Sequence, residues 1–284
     1  MERVGIVADT ISGLPEEVAQ EYGITLLPYY VCFKGKSVKE GEGFDRKEFF
    51  HKLREGKGDY PTTSHPTLQD VIDAYKSLSK RTSRIVHLTP PANLTKTYDM
   101  AHKAKEKFPG LRIEVIDTQV AMGHLGFLVM EAAKVARDGG DIKDILTRIA
   151  EVNPRCDFAL IMDTLKYLER GGRIGKARAL LGTLLSIKPI IGLRGGVVEG
   201  IGKVRTHQQG LEWIVNRIKA HMEKFMASKI EVIVEDIDNQ EWSQRALNRL
   251  NKEFDVEKSW QREANLIVGT HVGPGGWAVS WYVK

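Results

Sequence analysis

Arg3-Val-Gly-Ile-Val-Ala-Asp-Thr-Ile-Ser-Gly-Leu-Pro15 opens the chain with an apolar run that stops at Asp9 and turns at Thr10. A run this short, closed by polar turn residues, reads as a buried strand over 3–9 followed by a turn over 10–15. Pro15 suits the first position of a helix, where its missing N–H costs nothing.

Outward from that segment the alternation continues. Residues 24–33, rich in Leu, Tyr and Val, read as a second strand. Helices are expected at 44–55, opened by Asp45, and at 67–80, where Thr67 is an N-cap. A strand at 84–88, a helix at 93–108, a strand at 113–116 and a helix at Met122–Arg137 follow. Strands spaced by helices imply a mostly parallel sheet with helices on both faces.

The second half changes character. After a helix at Ile142–Val152 and a strand at 157–162, the runs 188–193 and Val197–Val204 flank Arg194-Gly195-Gly196, a hairpin signal. Strands at 231–234, 266–270 and 277–283, with a helix over 239–254, complete the reading. The expected fold is therefore α/β in two units divided near Asn153-Pro154. Residues 1–153 carry the mostly parallel sheet with flanking helices, and 154–284 a mixed, partly antiparallel sheet with helices.

Composition narrows the function classes. The 284 residues are 42% hydrophobic and 28% charged, enough to bury a core without staples. Cys32 and Cys156 are far apart and show no CxxC spacing, so neither a disulfide framework nor a zinc site is expected and a cytoplasmic setting fits. The first residues bear charge at once, so no signal peptide is expected. No apolar run approaches the roughly 18 residues of a membrane span, so no membrane insertion is expected. A net charge of +5 is too modest to make nucleic acid the expected partner.

In open parallel sheets, ligands bind beyond the carboxyl ends of the strands. The residues expected there are mainly hydroxyls: Thr10, Thr89, Thr118, and the clusters Thr62-Thr63-Ser64-His65 and Thr95-Lys96-Thr97. Hydroxyls suit an acid or phosphate oxygen, since each donates one hydrogen bond with no charge to desolvate. Asp9 and Asp117 read as caps of the helices that follow them, or as a carboxylate pair on Mg²⁺, although no DxD spacing supports a metal.

Residues 163–177 carry Lys166, Arg170, Arg173 and Lys176 around Gly171-Gly172. A phosphate loop of the Walker type fails there, because Arg170 and Ala177 stand where Gly and Ser/Thr are needed. Either a solvated basic face or a shaped turn offering guanidinium groups remains. In 269–278, Gly273, Gly275 and Ala278 match a dinucleotide pattern formally, but no βαβ unit is expected after them. A tight loop between two strands is expected instead, with His271 at its start as a packed residue or a partner for an acid group. Ser12 and Ser64 lack a nucleophile elbow, and metal-ligand spacings such as HExxH are missing. The inventory reads as a binder, neither a self-sufficient enzyme nor a metalloprotein.

The chain resembles the DegV-type fatty-acid-binding proteins along essentially its whole length. The matching segments are Ala8-Asp-Thr-Ile-Ser-Gly-Leu-Pro15, Thr63-Ser-His-Pro66, Leu94-Thr-Lys-Thr-Tyr98 and Val115-Ile-Asp-Thr118 with Gly123-His-Leu-Gly126. They continue through Leu168-Glu-Arg-Gly-Gly-Arg-Ile174, Leu181-Gly with Ile187-Lys-Pro-Ile190, Lys203-Val-Arg-Thr206 and Gly269-Thr-His-Val-Gly-Pro-Gly275.

The resemblance implies a DegV-like fold of two α/β domains with a long-chain fatty acid between or beneath them as the ligand. It also implies a partner, a fatty acid kinase similar to dihydroxyacetone kinase, which uses ATP to make an acyl-phosphate for phospholipid synthesis. On this resemblance Thr63 and Thr95 hold the carboxylate, with His271 and Arg205 in support. Arg170 and Arg173 face the kinase or the transferring phosphate. Two departures bear on the head group: Thr95-Lys96 stands where the family has Ser-Gly, and Pro90-Pro91 replaces serines. Helical segments at 126–136 and 177–185 read as tunnel walls or as ordinary core. The competing functions are a phosphotransferase or hydrolase for a small phosphorylated or acidic substrate using Asp9, Asp117 and His271, and a nucleic-acid binder using residues 166–178.

Overall fold

The run Gly5–Asp9 is buried at every position, as the inner strand of a sheet covered on both faces requires. The computed structural model describes residues 2–33, 35–56, 60–182 and 187–284. The first part runs β1 (Gly5–Asp9), α1 (Glu16–Tyr22), β2 (Ile24–Leu27), β3 (Tyr30–Phe33), β4 (Lys36–Lys39), α2 (Arg46–Glu55), β5 (Thr62–Ser64) and α3 (Leu68–Leu78). It continues through β6 (Arg84–Thr89), α4 (Thr97–Lys105), β7 (Arg112–Asp117), α5 (Met122–Arg137) and α6 (Ile142–Val152). The second runs β8 (Cys156–Ile161), α7 (Lys166–Arg170), β9 (Lys188–Arg194), β10 (Val197–Val204), α8 (His207–Phe225) and β11 (Ile230–Ile237). α9 (Gln240–Glu253), β12 (Val256–Glu263), α10 (Leu266–Val272) and β13 (Gly276–Val283) complete it.

The fold is mixed α/β. One sheet, in the order β2-β1-β6-β7, is parallel throughout. A larger sheet, in the order β10-β9-β8-β13-β11-β12, is antiparallel except for its β11–β12 edge. α5 ties the two together, touching β1 on one side and β8, β11 and β13 on the other. Close approach depends on Gly123, where an added Cβ would sit 2.7 Å from Ser280 and 2.9 Å from Ile233. No helix among the described residues is long and apolar enough to cross a membrane.

Three expectations change. The strand expected over 24–33 divides at Pro28, which cannot donate to a ladder. β2 stays in the parallel sheet, while β3 joins β4 and β5 in a small antiparallel sheet. Residues 266–270 are helical, because the Asn265 side chain accepts from Val268 N and starts α10; His271 therefore lies on a helix, not at the start of a loop. The long helix α8 and the edge strand β12 were not expected at all.

Candidate functional site

A cavity of about 310 Å³ opens where the carboxyl end of β1 and the loop before α4 meet the inner face of the larger sheet. That is the small end of the roughly 300–1,000 Å³ seen for ligand sites. Its apolar wall comes from Phe158 and Leu160 of β8, Ile191 and Leu193 of β9, and Met122 and Ile267 at helix starts. Its polar end carries Tyr29, Thr63, Thr95, Lys96, Arg173 and His271.

Thr63, Thr95 and His271 are thus brought into one cavity. Thr63 lies on β5, and its Oγ1 is 2.9 Å from His271 Nε2 on α10. The other ring nitrogen, Nδ1, is buried without a partner. It faces Gly171, where a Cβ would stand 2.2 Å away, so the glycine of the basic turn makes room for the ring. Burial, and secondarily the charge of Arg173, lower the His271 pKa from 6.5 to about 4. The ring is neutral at neutral pH.

Thr95 is nearly buried and belongs to a network that the sequence reading missed. The Tyr29 hydroxyl lies 2.8 Å from Asp9 Oδ2, 2.9 Å from Thr95 Oγ1 and 3.0 Å from Thr97 Oγ1. Burial, then the nearby Asp9, push the Tyr29 pKa well up, so the phenol stays protonated. Behind it, Asp9 Oδ1 and His87 Nε2 face each other at 3.7 Å, both fully buried and neither hydrogen-bonded. His87 Nδ1 is 2.8 Å from the Tyr75 hydroxyl.

The arginines divide. Arg173 is at the cavity mouth, with Nη1 donating to Gly171 O at 2.6 Å and Nε to Leu94 O at 3.3 Å. Arg170 is exposed beside the cavity, its guanidinium 3.2 Å over the Tyr60 ring. Arg205 is exposed and is not among the cavity residues; its backbone N–H donates to Gln209. Lys96 takes the family glycine's place in an ordinary conformation, φ −94° and ψ 10°, with Nζ 3.5 Å from Asp99. Pro90 contributes to the cavity wall.

Other expectations resolve differently. The Asp9 side chain caps no helix. Asp117 accepts from Ala92 N and Gln119 N, and its strand is separated from that of Asp9 by β6. No group of three or more His, Cys, Asp or Glu among the described residues is placed to hold a metal. Residues 126–136 form core beneath the sheets and do not line the cavity. Of the 177–185 segment, 183–185 lie outside the described residues and 177–182 do not line the cavity.

Comparison with known proteins agrees with the architecture. Residues 3–284 match the family model described as "Uncharacterised protein, DegV family". A DegV domain-containing protein of Caldanaerobacter subterraneus subsp. tengcongensis is 30% identical over 274 residues, covering 96% of each chain. One from Clostridium perfringens is 31% identical over 275 residues, covering 95% of each. Among solved structures, a DegV family protein from Thermus thermophilus, described for its fatty acid binding, superposes with a TM-score of 0.92 at 29% identity, covering 99% of this chain and 100% of the other. A DegV lipid-binding protein from Thermotoga maritima gives 0.85 at 25%, covering 99% and 98%. On the match across residues 3–284, the chain belongs to the DegV family.

Proposed function

We propose that this protein is a fatty-acid carrier whose ligand lies in the cavity between the two sheets. The acid head group meets Thr63, Thr95 and His271, and the tail runs along the apolar face of β8 and β9. The observation that carries this reading is one cavity with a hydroxyl-bearing end and a greasy wall. The fatty acid binding described for the Thermus relative supports it. Burial of a sixteen-carbon tail contributes on the order of 10 kcal/mol, from roughly 0.8 kcal/mol per methylene. Lost chain and rigid-body freedom offset several of those.

The chain acts as carrier and a separate cytoplasmic, ATP-using fatty acid kinase supplies the chemistry. Arg173 at the mouth and Arg170 beside it face that partner or the transferring phosphate, as charge-assisted hydrogen bonding favours. The chain divides near Asn153 into the two lobes that frame the ligand.

Solvent extraction of denatured protein, read by mass spectrometry, is expected to release a fatty acid. Absence of any, together with failure of the delipidated protein to take up palmitate or oleate, ends the reading. Arg170→Ala is expected to leave lipid content unchanged while lowering acyl-phosphate formation with the kinase; equal loss of both would make the arginine structural. ATP or phosphoester turnover by the isolated chain, abolished by Asp9→Asn, would instead favour an enzyme.

A further inference from the structure

The helix that carries His271 is seated against a part of the chain far from it in sequence. α10 touches α2, β3 and β5, all of which lie between Tyr30 and Ser64. Three contacts mark the seat, at the start, the middle and the end of the helix. The two polar ones join residues 218 and 208 positions apart.

At the start, Arg46 opens α2, and its guanidinium reaches the second sheet. Nη1 donates to Ala264 O at 2.6 Å and Nη2 to Asp236 O at 3.0 Å, while Nε lies 3.3 Å from Glu263. Each guanidinium nitrogen thus has an oxygen partner. Asp236 O also accepts from Ala264 N at 2.8 Å, so the fork closes over the point where β12 gives way to α10. Asn265, the cap of α10, follows at once.

In the middle stands Phe50, four residues after Arg46 and so on the same face of α2. Its ring is fully buried and lies 5.0 Å from the Arg46 guanidinium. A Cβ at Gly269 would stand 2.8 Å from that ring, so the glycine lets α10 lie this close. At the end, His271 Nε2 lies 2.9 Å from Thr63 Oγ1.

We propose that Arg46 is a positioning residue for the head-group pair: by fixing the start of α10 on α2, it sets where His271 meets Thr63. This role rests on the fatty-acid reading above. A helix of seven residues is not held by its own propensity, so its place comes from packing and from contacts at its ends. At about 1.5 Å per residue it is a rod of roughly 10 Å, short enough for a shift at Ala264 to be felt at His271. The Arg46 side chain is 21% exposed, and a planar fork on two carbonyls fixes direction as well as distance.

A double-mutant cycle on delipidated full-length protein tests this, with palmitate displacing a fluorescent fatty acid and urea unfolding measured beside it. Arg46→Ala is expected to weaken palmitate binding about fivefold, and by less than about twofold when Thr63→Val is already present. Loss of stability alone weakens binding equally in both backgrounds, so the coupling separates positioning from support. Losses that simply add, or an affinity unchanged by Arg46→Ala, overturn the proposal and leave fatty-acid binding standing. If Arg46→Ala does not fold, Gly269→Ala displaces the Phe50 contact, and the same cycle with Thr63→Val decides: coupled losses support the seat and additive losses overturn it. Failure of palmitate to bind the unmodified protein removes both readings.

Discussion

Two buried polar regions of this protein are built on opposite rules. At the contact of α5 with α6, Glu131 accepts from Lys134 Nζ at 2.6 Å and from Arg148 Nε and Nη2 at 2.8 and 2.5 Å. Two turns earlier on α5, His124 Nε2 is 2.9 Å from Asn153 Oδ1. These groups have their partners. At the polar end of the cavity His271 Nδ1 has none, and neither do Asp9 Oδ1 and His87 Nε2 behind Tyr29. An unpaired buried polar atom costs roughly 1–3 kcal/mol, and such groups persist where function holds them. The first set has its partners and ties α5 to α6, while the second keeps polar atoms unpaired at and behind the cavity.

The largest effect that tests this contrast is shared by both regions. His271 and His124 are each lowered by burial from 6.5 to about 4. Above pH 6.5 both are neutral folded and unfolded, and stability is full. As pH falls below 6.5 the unfolded chain takes up protons that the folded chain refuses, so stability declines until the folded groups protonate near pH 4. A fall from 6.5 to about 4 makes each loss on the order of 3 kcal/mol. Urea midpoints between pH 7 and pH 4 should fall accordingly, and His124→Asn should flatten the slope. Midpoints that hold steady across that window would break the assignment.

Glu131→Ala comes next. Burial alone would raise this carboxyl, but the hydrogen bonds and charges of Lys134 and Arg148 outweigh it and hold it below its usual value. Removing it from a fully buried pair would cost roughly 3–5 kcal/mol. Arg148 is 37% exposed and can be resolvated, so a loss of about 2 kcal/mol is expected, with lipid content unchanged. Loss of lipid with unchanged thermal midpoint would erase the distinction between the two regions. Gly171→Ala, which forces a Cβ against the His271 ring, should cost about 1.5 kcal/mol and also reduce lipid retention. A destabilised variant with full retention would show that the ring does not serve the head group.

What the amino-acid pattern made legible follows the same division. Met122–Arg137 and Ile142–Val152 have the limits read from periodicity, and Asp45 and Thr67 cap α2 and α3 as their residue types promise. Local chemistry decides those elements. α10 was misread because Ile267, Val268, Thr270 and Val272 are β-branched, while the deciding signal was one cap, Asn265. β12, Val-Glu-Lys-Ser-Trp-Gln-Arg-Glu, is a largely solvated edge and shows no buried run. α8 has a legible start in its Thr206 cap, whose side chain accepts from Gln209 N. Thr63, Thr95 and His271 were readable as hydroxyl- and imidazole-bearing loop residues. Tyr29 and His87 were not, because what sets them apart is a 66-residue separation from Thr95 in one case and a facing carboxylate in the other.

The smallest effect separates the two threonines. Thr95→Val removes one of the proposed ligand contacts but leaves the Tyr29 hydroxyl with Asp9 and Thr97, so no buried group loses its last partner. Thr63→Val removes the other proposed contact and also strips His271 Nε2 of its hydrogen-bond partner. Thr95→Val should therefore weaken palmitate binding by about 1 kcal/mol, near fivefold, with little change in the urea midpoint. Thr63→Val should lower both binding and stability, the latter by about 1–2 kcal/mol for the orphaned ring nitrogen. Side-by-side titration and unfolding of the two valine variants reads the difference. Equal destabilisation would mean that Thr95 supports the fold as much as Thr63 does, and that the network around Tyr29 is structural like the one around Glu131.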